Sequence, residues 1–120
     1  MNSKELQNRT KKFALAIIKL TAFLPNNRVG WTFTDQIVRS STSVAANYRA
    51  ACRARSDKDF ISKMGIIIEE SDETLFWLEM IEESQIISEE TEIGSLKDEA
   101  NELTAIFVSS VKTVKARINQ

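Results

Sequence analysis

Punctuation is what most constrains this chain: its 120 residues hold one proline and three glycines. With so few breaks the backbone is free to run in long helices, and the apolar spacing agrees. Pro25, followed by Asn26-Asn27-Arg28-Val29-Gly30, is the clearest interruption. Before it, Leu6, Phe13, Ile17, Leu20 and Leu24 recur at helical spacing, predicting a helix from about Ser3, as N-cap, to Leu24. A proline directly after Leu24 disfavours helical geometry at that residue.

A second helix is expected from Thr32–Thr34 to about Ala54, with Phe33, Ile37, Val44, Tyr48 and Ala51 as its stripe. Within it lies Ser40-Ser41-Thr42-Ser43, a poor intrinsic helix signal because short hydroxyl side chains compete for backbone hydrogen bonds. The same row lets a neighbouring helix approach closely. Ser56-Asp57-Lys58-Asp59 restarts the chain with an N-cap and acids in the first turn. The third helix then runs from Asp57 to about Ser84, with Phe60, Met64, Ile67, Ser71, Leu75 and Leu78 as its seam. At 100° per residue Ile66, Trp77 and Met80 fall nearly opposite that seam. Ser88 with Glu89-Glu90 is expected to start a fourth helix reaching about Arg117. Its stripe is Ile93, Leu96, Ala100, Leu103, Phe107 and Val114. The expected fold is therefore all-α: one domain over residues 1–120, an antiparallel up-down-up-down four-helix bundle with helices at about 3–24, 33–54, 57–84 and 89–117.

Composition removes several function classes. The absence of histidine excludes Ser-His-Asp and Cys-His nucleophile pairs, most zinc sites and the Glu-x-x-His ligands of di-iron bundles. No phosphate-loop pattern is present. The lone Cys52 cannot form an internal disulfide and reads as a packed small residue, which suits a reducing cytoplasm. No apolar run approaches the roughly 18–20 residues of a membrane span. Neither a cofactor nor a small-molecule substrate is expected.

The net charge of −1 hides a strong asymmetry. Residues 1–63 carry twelve Lys/Arg and four Asp/Glu, residues 64–102 one Lys and thirteen acids, and residues 103–120 three basic residues. One reading is complementarity between an acidic third helix and basic first and second helices. Another is a separated basic face for phosphate or an acidic partner. Arg49, Arg53, Arg55, Lys58 and Lys63 cluster at the junction of helices two and three, with Arg39 farther up helix two. Arg55 stands beside a helix N-terminus, where free amides favour an anion. These six are the candidate nucleic-acid contacts. On helix three, Glu69/Asp72 and Glu70/Glu73 have the i, i+3 spacing that can seat a magnesium ion, as in all-α nucleotide pyrophosphohydrolases. The further pairs Glu89/Glu92 and Glu99/Glu102 do not reproduce that family's order, and an acidic face is more often simply solvated.

A more specific pattern runs through the middle of the chain. Gln36-Ile37-Val38-Arg39, Ser43-Val44-Ala45-Ala46-Asn47-Tyr48-Arg49-Ala50-Ala51, Arg55-Ser56 and Asp59-Phe60 follow one another in a recognisable cadence. With Glu69-Glu70-Ser71-Asp72-Glu73-Thr74-Leu75-Phe76-Trp77-Leu78-Glu79 downstream, the chain resembles the four-helix-bundle proteins encoded in intervening sequences of bacterial 23S ribosomal RNA genes. Much of that family has Glu-Gly where this chain has Ala50-Ala51. The motif residues carried over are Arg39, Ser43, Asn47, Arg55 and Ser56. The resemblance implies a left-handed bundle, a ring of five copies and no enzymatic activity. Related accessory proteins of diversity-generating retroelements engage RNA and a reverse transcriptase through a basic surface. This chain, with a pI near 5.6, is less basic than those members.

Two functional readings follow. The first is a non-enzymatic, oligomeric module that binds RNA or a ribonucleoprotein through its basic surface. The second is a protein–protein adaptor that docks a partner on its acidic, apolar third helix. An oligomer is expected from periodicity alone, because Ile66, Trp77 and Met80 on an outer face call for cover. Interspersed Glu69 and Glu73 would then meet basic residues of a neighbour in a head-to-tail ring.

Overall fold

The computed structural model describes residues 1–88 and 91–119. It contains helices α1 (Ser3–Thr21), α2 (Arg28–Ala51), α3 (Asp57–Glu83) and α4 (Ile93–Ile118), and no strand among the described residues. Each helix packs on its successor and α4 also returns to α1, so α1 and α3 stand diagonally across the core. The result is an all-α four-helix bundle measuring 51 × 21 × 20 Å.

Side-chain caps fix three of the helix starts. Asn2 Oδ1 accepts from the Glu5 amide at 2.8 Å, Asn27 Oδ1 from Gly30 at 3.0 Å, and Ser56 Oγ from Asp59 at 3.0 Å. The Ser56 cap is the expected one. The other two correct the sequence reading, which capped α1 at Ser3 and began α2 four to six residues late. Gly30 explains the second difference. It reads as a turn residue but lies inside α2, where a Cβ would stand 1.8 Å from the Pro25 carbonyl oxygen. Its missing side chain lets the connection fold back over the helix.

The α1 end also falls early. Beyond Thr21 the amides of Phe23 and Leu24 bond to Leu20 and Thr21 carbonyls, at 3.0 and 3.1 Å, in tight i→i−3 turns. Helix α2 stops at Ala51 rather than Ala54, with turn bonds from Arg53 and Ala54. Helix α4 begins at Ile93, after Glu92, with no side-chain cap. The expected start at Glu89-Glu90 lies outside the described residues.

Ile17, Ile37, Val44, Met64, Ile67, Leu103 and Phe107 are all buried, as their spacing requires. Phe60 and Leu75 pack only partly buried at the rim of the same cluster. Ser40 and Ser41 are fully buried, so the hydroxyl row of α2 is the close-packing surface its small side chains suggest.

Trp77 does not stand opposite the seam. It is half-buried against the core, with its ring centroid 5.8 Å from that of Phe33 and its indole Nε1 donating to Glu73 Oε2 at 3.2 Å. A wheel counts angles from one stripe, whereas α2 wraps one flank of α3 and covers the indole. The large apolar side chains left exposed on α3 are Ile66, Phe76 and Met80.

Candidate nucleic-acid interface

Helices α1 and α2 enclose a groove of about 410 Å³ lined by Lys4, Gln7, Asn8, Lys11, Ala45, Ala46, Arg49 and Arg53. The groove follows from local sequence. Ala45 and Ala46 leave the α2 surface low, while the i, i+4 spacing of Arg49 and Arg53 puts both guanidinium groups on one side. None of its four cations forms an ion pair among the described residues. Lys4 and Lys11 were not among the sequence candidates. They lie more than 35 residues from Arg49, and only the α1–α2 packing brings them together.

The six basic candidates do not form one surface. Arg49 and Arg53 share the groove. Arg39 is taken by α3: its guanidinium bonds Glu70 Oε2 at 3.0 Å and also Glu73. Hydrogen bonds and charge attraction from these acids overcome the opposing effect of desolvation and raise its pKa. Lys63 pairs with Asp59 at 2.7 Å. That hydrogen bond, with another from the Arg55 amide, holds the Asp59 carboxyl below its ordinary range. Lys58 is exposed in the first turn of α3 and makes no ion pair among the described residues. Arg55 and Ser56 border a separate depression at the α2–α3 turn, beside the 2.9 Å Arg117–Asp57 pair.

The other motif residues have local structural roles. Asn47 Nδ2 donates to the Ser43 carbonyl at 2.9 Å and to Ser43 Oγ at 2.8 Å, closing one turn of α2. Among the proposed contact positions of α3, Ile66, Glu69 and Met80 are exposed, while Glu73 is engaged by Arg39 and Trp77.

Charge separates along the bundle axis. Segments 3–8, 44–65 and 110–119 form the end at the α2–α3 turn and carry nine Lys/Arg and three Asp/Glu. Segments 19–35, 76–84 and 92–102 at the other end carry three Lys/Arg and eight acids. Cross-helix pairs such as Arg9 with Glu99 and Glu102, at 2.7 and 2.8 Å, and Lys97 with Glu82, at 2.7 Å, neutralise only part of this. Hydrogen bonding from Glu99, then Glu102, raises the Arg9 pKa. The carboxylate pairs read as a magnesium seat are not gathered: Glu70 and Glu73 hold Arg39, and no cluster of three metal-ligating side chains occurs among the described residues. Among the described residues no helix is long and apolar enough to cross a membrane.

A family model described as 23S rRNA-intervening sequence protein matches residues 3–109. The chain belongs to that family. Among solved structures it is similar to a protein of unknown function from the S23 ribosomal protein family of Bacteroides thetaiotaomicron VPI-5482. The two share 33% identity over 93% of this chain and 99% of the other, with a TM-score of 0.82. No curated protein matches. The helix order agrees with that membership.

Proposed function

We propose that this protein is a non-enzymatic, self-associating helical module of the cytoplasm that binds RNA, alone or within a ribonucleoprotein, through the α1–α2 groove. The observation that carries the reading is the groove itself: Lys4, Lys11, Arg49 and Arg53 converge there without acidic partners among the described residues. Long cationic side chains around a shallow floor suit a phosphate backbone, whose binding is dominated by charge neutralisation. Arg55 and Lys58 extend the positive surface around the same end. Arg39 and Lys63 are engaged by carboxylates and are expected to contribute little. The axial charge separation lets a chain with a net charge of −1 still present a positive end. The ring of five implied by the family resemblance would repeat that end around an axis.

RNA-binding titrations at several salt concentrations test this. The parent is expected to lose affinity linearly with log salt, with a slope of roughly 0.7 per phosphate contact on a single strand. Arg49→Glu/Arg53→Glu is expected to flatten that slope, and Arg39→Gln to leave it nearly unchanged. A parent that binds no RNA at low salt overturns the reading. The exposed apolar residues of α3 would then favour the protein–protein adaptor.

A further inference from the structure

We propose that the RNA held by the α1–α2 groove is double-helical, with one backbone lying in the groove and the end of α2 standing in the minor groove beside it. The proposal rests on the reading of that groove as an RNA surface and names the form of RNA it takes. The basic end of the bundle carries two recesses. One is the groove, with Lys4, Lys11, Arg49 and Arg53. The other is a depression of about 540 Å³ on the end face, bordered by Arg55, Ser56 and Arg117. The corner between them is the C-terminal end of α2, where Ala50, Ala51 and Ala54 keep the profile low.

Two recesses that carry cations, on either side of a low corner, match two backbones on either side of a wide, shallow minor groove, the form it takes in A-form RNA. A single strand has one backbone, and proteins that hold one usually offer aromatic faces on which its bases stack. No aromatic side chain lines the groove. In the depression Tyr48 is buried against Phe107, at a ring-centroid distance of 5.8 Å, and Phe60 packs partly buried on the core. The exposed Trp31 stands roughly 21 Å from Ala45 along α2, toward the other end. In a duplex the bases are already stacked and paired, so the surface need supply only contacts to the backbone.

Two amides distinguish RNA from DNA. Gln7 and Asn8 line the groove between Lys4 and Lys11, abreast of Ala45 and Ala46. The Gln7 backbone carbonyl accepts from Thr10 Oγ1 at 2.8 Å, but neither side-chain amide is hydrogen-bonded among the described residues. Each amide can both donate and accept, as a 2′-hydroxyl can. Counting 1.5 Å per residue from the Ala45–Ala46 level, Arg53 and Lys11 lie roughly 16 Å apart along the groove, with Lys4, Arg49 and the two amides between them. Cations thus bracket the amides along one strand, so phosphates fix the backbone and place its 2′-hydroxyls against Gln7 and Asn8. A DNA backbone would satisfy the cations and leave the amides without that partner.

Fluorescence anisotropy tests this with three probes at equal phosphate concentration: a blunt RNA duplex, the DNA duplex of the same sequence, and one of its RNA strands chosen not to fold on itself. The RNA duplex is expected to bind more tightly than the single strand, and about tenfold more tightly than the DNA duplex, as two net hydrogen bonds would give. Gln7→Ala/Asn8→Ala is expected to bring the two duplexes close to parity while leaving the salt slope unchanged, because no charge is removed. Circular dichroism confirms that the variant is folded; if it is not, the exposed Asn8→Ala alone carries the comparison, with a smaller shift in the same direction. A parent that binds none of the probes at low salt overturns the proposal together with the RNA reading it rests on. A single strand that binds as tightly as the RNA duplex overturns the double-helical form and leaves the RNA reading standing. Equal binding of the two duplexes by the parent, or an RNA advantage that survives the amide substitutions, overturns the contact with the 2′-hydroxyls.

Discussion

Thr74 on α3 donates its hydroxyl hydrogen to Ser40 Oγ on α2 at 2.8 Å, and both side chains are fully buried. A similar bond joins Ser71 on α3 to Thr104 on α4 at 2.6 Å. Buried hydroxyls are costly unless paired, so each bond favours one axial register between helices that apolar contacts alone would hold more loosely.

Size, more than hydrogen bonding, is expected to govern position 40. Ser40→Ala leaves Thr74 the Glu70 carbonyl at 2.9 Å as an acceptor, so its cost should be about 0.5–1.5 kcal/mol. Ser40→Leu must push α2 away from α3 and should cost at least about 1–3 kcal/mol. Urea denaturation of the two variants gives the comparison. Equal losses would show that close approach is not what the position requires.

Ile67 and Leu103 have no exposed surface. Truncating either to Ala removes buried methyl groups and leaves a cavity, with an expected loss of about 2–5 kcal/mol. The drop in denaturation midpoint measures it.

Trp77 is expected to act within the bundle, through its contact with Phe33. Trp77→Ala should lower stability by about 1–3 kcal/mol through lost burial and ring contact. Thermal melting at several protein concentrations separates this from an interface effect. A loss that disappears on dilution would place the indole at a subunit contact instead.

Gly30→Ala sets a methyl group against the Pro25 carbonyl, where an ideal Cβ would stand 1.8 Å from the oxygen. The connection must open, and the expected cost is about 1–3 kcal/mol despite the better helix propensity of Ala. Gly65→Ala is the control, because nothing lies within 4 Å of the added carbon. That substitution should stabilise the protein by about 0.5–1 kcal/mol.

Gln85, just past the end of α3, has a φ of 57°, the left-handed region favoured by glycine after a helix. Gln85→Gly is expected to raise stability by about 0.5–1 kcal/mol by relieving that conformation. An unchanged or lower melting temperature would count against backbone strain there.

The number of helices, their type and most of their inward faces were legible in the residues. Sparse punctuation and 3.6-residue periodicity are local properties, and the buried set from Ile17 to Phe107 follows them. Helix ends were less legible. Gly30 has the composition of a turn but the position of a helix residue, for a reason that lies in Pro25 folding back over it.

The candidate site was legible only in part. Arg49 and Arg53 announce themselves by i, i+4 spacing, whereas Lys4 and Lys11 join them only through the α1–α2 packing. Arg39 looks equally basic in sequence, yet it meets Glu70 and Glu73 thirty-one and thirty-four residues away. Sequence alone determined that four amphipathic helices form and which face of each is mainly apolar, because those follow from spacing along the chain. The tertiary structure decided which cations meet carboxylates, which aromatic is covered and which apolar side chains are left exposed. Those outcomes depend on the neighbour each helix packs against, a relation between distant residues that local periodicity does not encode.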